Sequence, residues 1–390
     1  MQKAYPELLP VPPLEQLRRR RSAKWQAFGP DVLPLWVAEL DFELAPAIAA
    51  TLTEAVRRSD TGYAWPVEQL GQAVAAFAGQ RWGWQIEPEA VCPVSDVGVG
   101  VVDLLRALTR PGDAIAISPP VYPPFFAWVA EVRGRPVEVP LRHGDGWRLD
   151  LPALERAFTD RPAAYVLCNP HNPVGRVHTR DELAALVELA GRYEVPIISD
   201  EVHAPLVLPG AEFVPLLSIP GAAEVAVSVH AASKAWNLAG LKCASIITAS
   251  ARMAEVVATL PDNRWRTGHF GVLASIAGYT EEVAWLDRLL ATLVDRRELL
   301  AKLLADRLPA VTWHPPEASY LAWLDCGRLD LGEDAGERFL RHKVALEAGW
   351  QFGPPGADHV RLNFGTSAEI LSEAIDRMAE AAGQDHSSEG

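Results

Sequence analysis

Residues 227–242 read Val227-Ser-Val-His-Ala-Ala-Ser-Lys-Ala-Trp-Asn-Leu-Ala-Gly-Leu-Lys242. An apolar run ends at a Ser-Lys pair and passes into small residues with a glycine. The reading is a buried strand with an amine, Lys234, at its mouth. Similar short apolar runs recur at residues 114–118, 163–168, 195–199, 225–229 and 244–248, and stretches of helical spacing separate them at 45–58, 67–81, from 101, and 183–193. Continuous apolar strands alternating with helices predict an α/β fold, a mostly parallel sheet covered by helices on both faces. Beyond it, a long helical stretch at 271–304, strands near 320–324 and 359–363 and a last helix over 370–382 predict a smaller α+β domain. The expected division is an N-terminal arm packing on the small domain (1–45), a large domain (46–258), the small domain (259–382) and a disordered polar tail (383–390).

The composition narrows the function classes. With 390 residues, 49% of them hydrophobic and 22% charged, the chain is globular and long enough for two domains. A formal net charge of −14 argues against a nucleic-acid partner, which requires a basic surface. The run Arg18-Arg19-Arg20-Arg21 reads as the charged face of a short helix rather than an anion site. The first residues lack a signal-peptide pattern, and no apolar run approaches the roughly 20 residues a membrane span needs. Four scattered cysteines, with no CxxC pair, suggest buried thiols in a reducing compartment, neither a disulfide frame nor a metal site. The expectation is a cytoplasmic protein with no metal, membrane or nucleic-acid partner.

The polar residues sit where an open parallel sheet binds ligands, beyond the carboxyl ends of its strands. Tyr122, Asn169, Asn172, Asp200, His203 and Lys234 all follow predicted strands, so separate loops would converge on one crevice. A lysine there can condense with an aldehyde, and pyridoxal 5'-phosphate is the obvious one. Asp200, in Ser199-Asp-Glu-Val-His203, would pair with the cofactor's pyridinium nitrogen, the other reading being an N-cap or a solvated loop carboxylate; strand alternation or a turn points the neighbouring Glu201 elsewhere. Asn172, in the rigid Cys168-Asn-Pro-His-Asn-Pro-Val-Gly-Arg176 turn, could donate to the phenolic oxygen; His203 is a second candidate, and a purely structural turn is a third reading. Ser95-Asp-Val-Gly-Val-Gly100 enters a helix and could cradle a phosphate, with Ser233 and Lys242 completing the cup. Tyr122 could stack on the ring or plug the core. Arg361, inside an apolar strand, needs an anionic partner: a substrate α-carboxylate or an internal salt bridge.

Taken in order, these stretches resemble the MalY/PatB-like cystathionine β-lyase (C–S lyase) family of the fold-type I pyridoxal-phosphate class I/II aminotransferases. Leu33-Pro-Leu-Trp-Val-Ala-Glu-Leu-Asp-Phe42, Pro119-Pro-Val-Tyr-Pro-Pro-Phe-Phe126 and Val360-Arg-Leu-Asn-Phe-Gly-Thr-Ser367 complete the resemblance over roughly residues 14–382. It implies that Lys234 carries the cofactor, Asp200 meets its ring nitrogen, Asn172 its phenolic oxygen, Tyr122 its face, and Arg361 the substrate carboxylate. It also implies phosphate contacts at residues 96–98, Ser233 and Lys242. Tyr63 would reach the phosphate of a second subunit in a homodimer with a shared active site. Trp36, Glu39 and Trp265 are the substrate-side guesses. Three departures stand out: His203 where aminotransferases carry a tyrosine, Ala231 in place of a phosphate-binding serine, and Asp96 where a glycine is expected. A carboxylate beside a phosphate is tolerable only if it turns away, for instance to cap the helix.

The implied activity is β-elimination of cystathionine or another S-substituted cysteine to a thiol, pyruvate and ammonia. An amino-acid aminotransferase on the same residues is the alternative. A non-catalytic regulatory module is disfavoured, because the fold consumes the chain.

Overall fold

The structure, a computed structural model, describes residues 8–65, 67–144 and 146–383. Most of the tail expected at 383–390 and the first seven residues of the arm lie outside the described residues. The arm contributes a two-residue strand, β1 (Leu33–Pro34). The central sheet has seven strands: β2 (Val91–Val94), β3 (Ala114–Ile117), β4 (Arg135–Glu138), β5 (Ala164–Cys168), β6 (Ile197–Asp200), β7 (Ala226–His230) and β8 (Ala244–Ile247). Their spatial order is β2-β8-β7-β6-β5-β3-β4. Only β8 runs against its neighbours, so the sheet is mostly parallel, as predicted.

β5, β6 and β7 are buried along their whole length, which explains their unbroken apolar runs. Two of the seven strands in this sheet escape the sequence reading for opposite reasons. β2 contains Pro93, which a sheet accepts here because β2 is an edge strand. β4, at the other edge, is Arg-Pro-Val-Glu and largely exposed, so it carries no apolar signature.

A second sheet joins β9 (Thr312–Trp313), β10 (Leu321–Asp325), β12 (Glu347–Ala348) and β13 (His359–Asn363) in the order β12-β13-β10-β9, all antiparallel. Between them, β11 (Val344–Ala345) pairs in parallel with β1, tying the arm to this part of the chain.

The helices largely begin where their capping chemistry places them. Thr179 and Glu182 form a reciprocal capping box at Arg180–Tyr193, and Ser367 caps Ala368–Ala381. The stretch expected as one helix at 271–304 is two, His269–Glu281 and Val283–Arg307. The break is at Glu282, whose buried carboxylate accepts from Ala47 N and whose carbonyl accepts from Trp236 Nε1 at 3.4 Å. A helix N-terminus rewards an acidic partner, and the side chain that caps Pro46–Arg57 is diverted from its own helix to do so. The helix His269–Glu281 accordingly packs on Pro46–Arg57 and on Glu68–Trp82. Arg18–Arg21 fall between two one-turn helices, Leu14–Leu17 and Ala23–Gln26; Arg20 turns inward onto the carbonyls of Leu40, Asp41 and Phe42.

Candidate active site

Five parallel strands end at one cavity of roughly 270 Å³. Lys234 lies just past β7, in a turn anchored by Trp236. That indole is fully buried and packs edge-on against Phe77 and Tyr279, with centroids 5.8 and 5.3 Å away. Asn237, with φ +58°, clamps the same turn to the arm: its amide exchanges two 3.0 Å hydrogen bonds with the backbone of Leu40. Lys234 Nζ donates to Ala38 O at 3.4 Å and otherwise faces the cavity. Loss of solvent, followed by the nearby Arg361 charge, lowers its pKa to about 8, against a smaller opposing pull from Asp200.

Asp200 closes β6, the neighbour of β7, and lines the same cavity. Burial raises its carboxyl to about 6; the hydrogen bond from Val202 N at 3.1 Å only partly offsets this. Glu201 points the other way, as alternation requires. It lies fully buried 2.8 Å from His230 Nε2 and accepts from Ser199 Oγ and Leu216 N. His203 lines the cavity, buried, with Nδ1 unpartnered among the described residues; desolvation lowers its pKa to about 3, so it is neutral.

Asn172 and Arg361 meet across the two sheets. Arg361 Nη1 donates to Asn172 Oδ1 at 3.1 Å and Nη2 donates to Trp36 O at 3.0 Å. Because the amide oxygen is spent on Arg361, the group Asn172 has left for the cavity is its Nδ2 donor. Tyr122 is tied to the same turn by its N–H to Asn172 O at 3.0 Å. Burial raises its phenol pKa.

The other end of the cavity is the N-terminus of the helix Val97–Leu108. Asp96 does turn aside: Oδ1 accepts from Val99 N at 2.9 Å as the helix cap, and Oδ2 holds Lys242 Nζ at 3.1 Å. That leaves Val97 and Gly98, the first two residues of the helix, with N–H groups beyond the reach of intrahelical acceptors, lining the cavity beside Ser233 and Lys242. A Cβ on Gly98 would sit 3.1 Å from Trp128 Nε1, so a glycine keeps this end open. A larger groove of about 980 Å³, between Trp82, residues 204–213 and the helix Val283–Arg307, contains none of the strand-end groups except the turn after His203.

Of the predicted site residues, Val97, Gly98, Tyr122, Asn172, Asp200, His203, Ser233, Lys234 and Lys242 line the cavity, and Arg361 meets its wall through Asn172. Trp36 contributes its carbonyl to Arg361, while its buried indole N–H has no partner among the described residues. Tyr63 lies outside. It is 76% exposed and packs edge-on against Trp265, which stacks flat on Trp65; these are 50% and 61% exposed. The sequence reading missed Cys168, Trp128, Tyr320 and Glu347. Cys168 and Trp128 line the cavity. Tyr320 donates to the Ala38 carbonyl that also holds Lys234, and Glu347 lies against Arg361.

The profile of the "Aminotransferase class I and II" family matches residues 30–378. The chain is 44% identical to a Mycobacterium leprae (strain TN) protein named "Putative cystathionine beta-lyase", over 94% of this chain and 96% of that one. It is 37% identical to the cystathionine beta-lyase of Corynebacterium glutamicum, over 94% and 98%. A crystal structure from Corynebacterium diphtheriae, described as a "putative plp-dependent beta-cystathionase", superposes with a TM-score of 0.91 at 36% identity, covering 96% of this chain and 99% of that one. With the sheet order, the strand-end lysine and the profile in agreement, the chain belongs to the class I and II aminotransferase family, in its fold-type I pyridoxal-phosphate architecture.

Proposed function

We propose that this chain is a pyridoxal-phosphate-dependent carbon–sulfur β-lyase acting on cystathionine or related S-substituted cysteines. The observation that carries the proposal is the placement of a depressed-pKa amine, Lys234, and a desolvated carboxylate, Asp200, on adjacent strand ends facing one cavity. The cavity fits the cofactor chemically. Among the described residues the buried acid Asp200 accepts one side-chain bond, from a backbone N–H, and a protonated ring nitrogen would suit it as a partner. His203 Nδ1 has no partner among the described residues, Asn172 turns its Oδ1 to Arg361 and so keeps its Nδ2 donor for the cavity, and the Val97–Gly98 helix start with Lys242 suits a phosphate. Tyr122 presents its ring beside Asn172 for stacking.

When bound, pyridoxal 5'-phosphate supplies the carbonyl that Lys234 holds and the electron sink that lets a Cα–H bond break. Asp200 keeps that sink protonated at its ring nitrogen. Arg361 orients the substrate by its carboxylate, and its fork is fixed by Asn172 and Trp36 O. Lys234 Nζ, released for the chemical step and steered by Ala38 O, takes the Cα proton as general base. The C–S bond then breaks with its electron pair on sulfur, and the same ammonium returns a proton to the leaving thiolate. Water completes the conversion to pyruvate and ammonia.

A second copy of the chain completes the assembly we infer. The exposed Tyr63–Trp265–Trp65 cluster is the kind of aromatic patch that a partner subunit covers. No helix among the described residues is long and apolar enough to cross a membrane. Four scattered cysteines with no CxxC pair suit a reducing, cytoplasmic setting. The test is incubation of the holoenzyme with cystathionine, assaying thiol, pyruvate and keto acid together. Thiol and pyruvate in equal amounts are expected. Keto acid with stoichiometric conversion of the cofactor to its amine form, and no thiol, would mean transamination instead.

A further inference from the structure

Arg361 is not idle in the absence of substrate. β12 pairs antiparallel with β13 so that Glu347 lies directly opposite Arg361, and its Oε2 is 3.3 Å from Arg361 Nη2. Both side chains are withdrawn from solvent, 17% and 3% exposed. The hydrogen count of the guanidinium shows what this does. Nη2 has two hydrogens, and both are committed, one to Trp36 O at 3.0 Å and one to Glu347. Nη1 gives one to Asn172 Oδ1 and keeps one, and the buried Nε has no partner among the described residues.

A carboxylate grips a guanidinium bidentately along either of two edges, Nη1 with Nη2 or Nε with Nη2. Both edges include Nη2. A substrate carboxylate that takes a two-point grip must therefore displace Trp36 O or Glu347. Trp36 O belongs to a backbone pinned on both sides, where Leu35 N donates to Ala345 O and Asn363 Nδ2 donates to Val37 O at 2.7 Å. Glu347 is a side chain at the end of a two-residue strand, and is the one free to yield.

We propose that Glu347 is a positioning residue for Arg361: a built-in carboxylate that holds the fork in register and competes with the substrate carboxylate for Nη2. Its charge sets how tightly the enzyme holds any carboxylate at this point, trading affinity for an arginine that is aligned before substrate arrives. Among the other ionic groups, Lys234 feels the Arg361 charge across the cavity. Arg338 and Arg341, on the helix packed against β12, turn to Glu333. From the facing loop Tyr122 presents a neutral phenol, its pKa raised by burial.

The inference rests on the reading of Arg361 as the substrate-carboxylate site, and its test separates the two. Calorimetric titration of the holoenzyme with 3-(methylthio)propionate, a thioether acid with no amine to react, reads the fork alone. Glu347→Gln keeps an acceptor for Nη2 but removes the charge, and should tighten this ligand about fivefold. The same variant should lower KM for an S-substituted cysteine by a similar factor, with kcat within about twofold. Glu347→Asp, which draws the carboxylate back by one methylene, should fall between, and serves if the glutamine variant folds poorly. Equal or weaker binding by Glu347→Gln, or no binding by either protein, overturns the proposal. Failure of the lyase reading would show separately, as absence of thiol and pyruvate from the wild-type enzyme.

Discussion

Lys24→Met should loosen the active site without touching it. Lys24 Nζ lies 2.8 Å from Asp41 Oδ2 with both side chains sealed from solvent, at 0% and 1% exposure, and also donates to Glu39 O at 3.0 Å. Asp41 Oδ1 accepts from Trp25 Nε1 at 3.1 Å. This pair fastens the segment 35–42, whose carbonyls form a wall of the site: Trp36 O holds Arg361, Ala38 O holds Lys234 and Tyr320, and Leu40 O holds Asn237. Removing one partner of a buried pair strands the other charge, a cost of about 3–5 kcal/mol. The tryptophan bond survives the substitution, which favours the lower end, about 3 kcal/mol. Denaturant unfolding of the holoenzyme, followed by tryptophan fluorescence and by circular dichroism, should show a lower midpoint. KM should rise as Arg361 and Lys234 lose fixed acceptors. The double variant Lys24→Met/Asp41→Asn should recover most of the stability, because neither charge is then stranded while Trp25 keeps its acceptor. A Lys24→Met enzyme with unchanged midpoint and KM would refute the reasoning. So would a double variant no better than the single, since the cost would then lie in lost packing of the lysine stem.

Four further outcomes follow from the site. Lys234→Ala should cut turnover by at least about 10⁴-fold, measured as pyruvate formed, with the fold unchanged by circular dichroism. In the apoenzyme the Lys234 amine must be neutral to capture the cofactor's aldehyde; with its pKa lowered to about 8, the rate of cofactor uptake should climb as pH rises through 8 rather than near 10.5. Asp200 has its folded-state pKa raised from 3.8 to about 6, so the folded apoenzyme binds the extra proton. The stability that proton contributes, up to about 3 kcal/mol, is complete only below the unfolded value of 3.8 and is lost as pH rises through 6; Asp200→Asn should flatten that slope in apoenzyme denaturation curves. Arg361→Lys replaces a bidentate fork by a single point charge. KM for an amino-acid thioether should rise about 10- to 100-fold while kcat changes far less.

The main architecture was legible because parallel strands buried on both faces must be apolar throughout, and their ends must carry whatever polar chemistry the sheet supports. That is why Asp200, His203 and Lys234 could be placed on one crevice from order alone, and why Glu201 could be set aside by alternation. The reading failed where the determinant was not a local pattern. β4 has no apolar face because it is a solvent-exposed edge. The break at Glu282 depends on the N-terminus of a helix 235 residues away in the chain, which nothing in the 271–304 periodicity records. The carbonyl wall at 35–42 is likewise invisible in sequence, since backbone acceptors have no residue code.

Glu347 shows the same limit at the site itself. Nothing in Leu-Glu-Ala-Gly-Trp marks it as a partner of Arg361, 14 residues on. The pairing is made by the return between β12 and β13, where two glycines let the backbone close on itself. A Cβ on Gly349 would come within 2.2 Å of Gly356 O, and one on Gly356 within 2.0 Å of Gly349 O. With any side chain at either position the turn would have to open and β12 would lose its register, moving Glu347 off Arg361. An isolated strand arginine in the sequence offers two partners, a substrate carboxylate or an internal one; the structure shows the internal one, Glu347, and on our proposal the two are consecutive rather than exclusive. The internal acid keeps Nη2 desolvated and aligned, and the two glycines, seven residues apart, decide that it is Glu347 and not a water that substrate must displace.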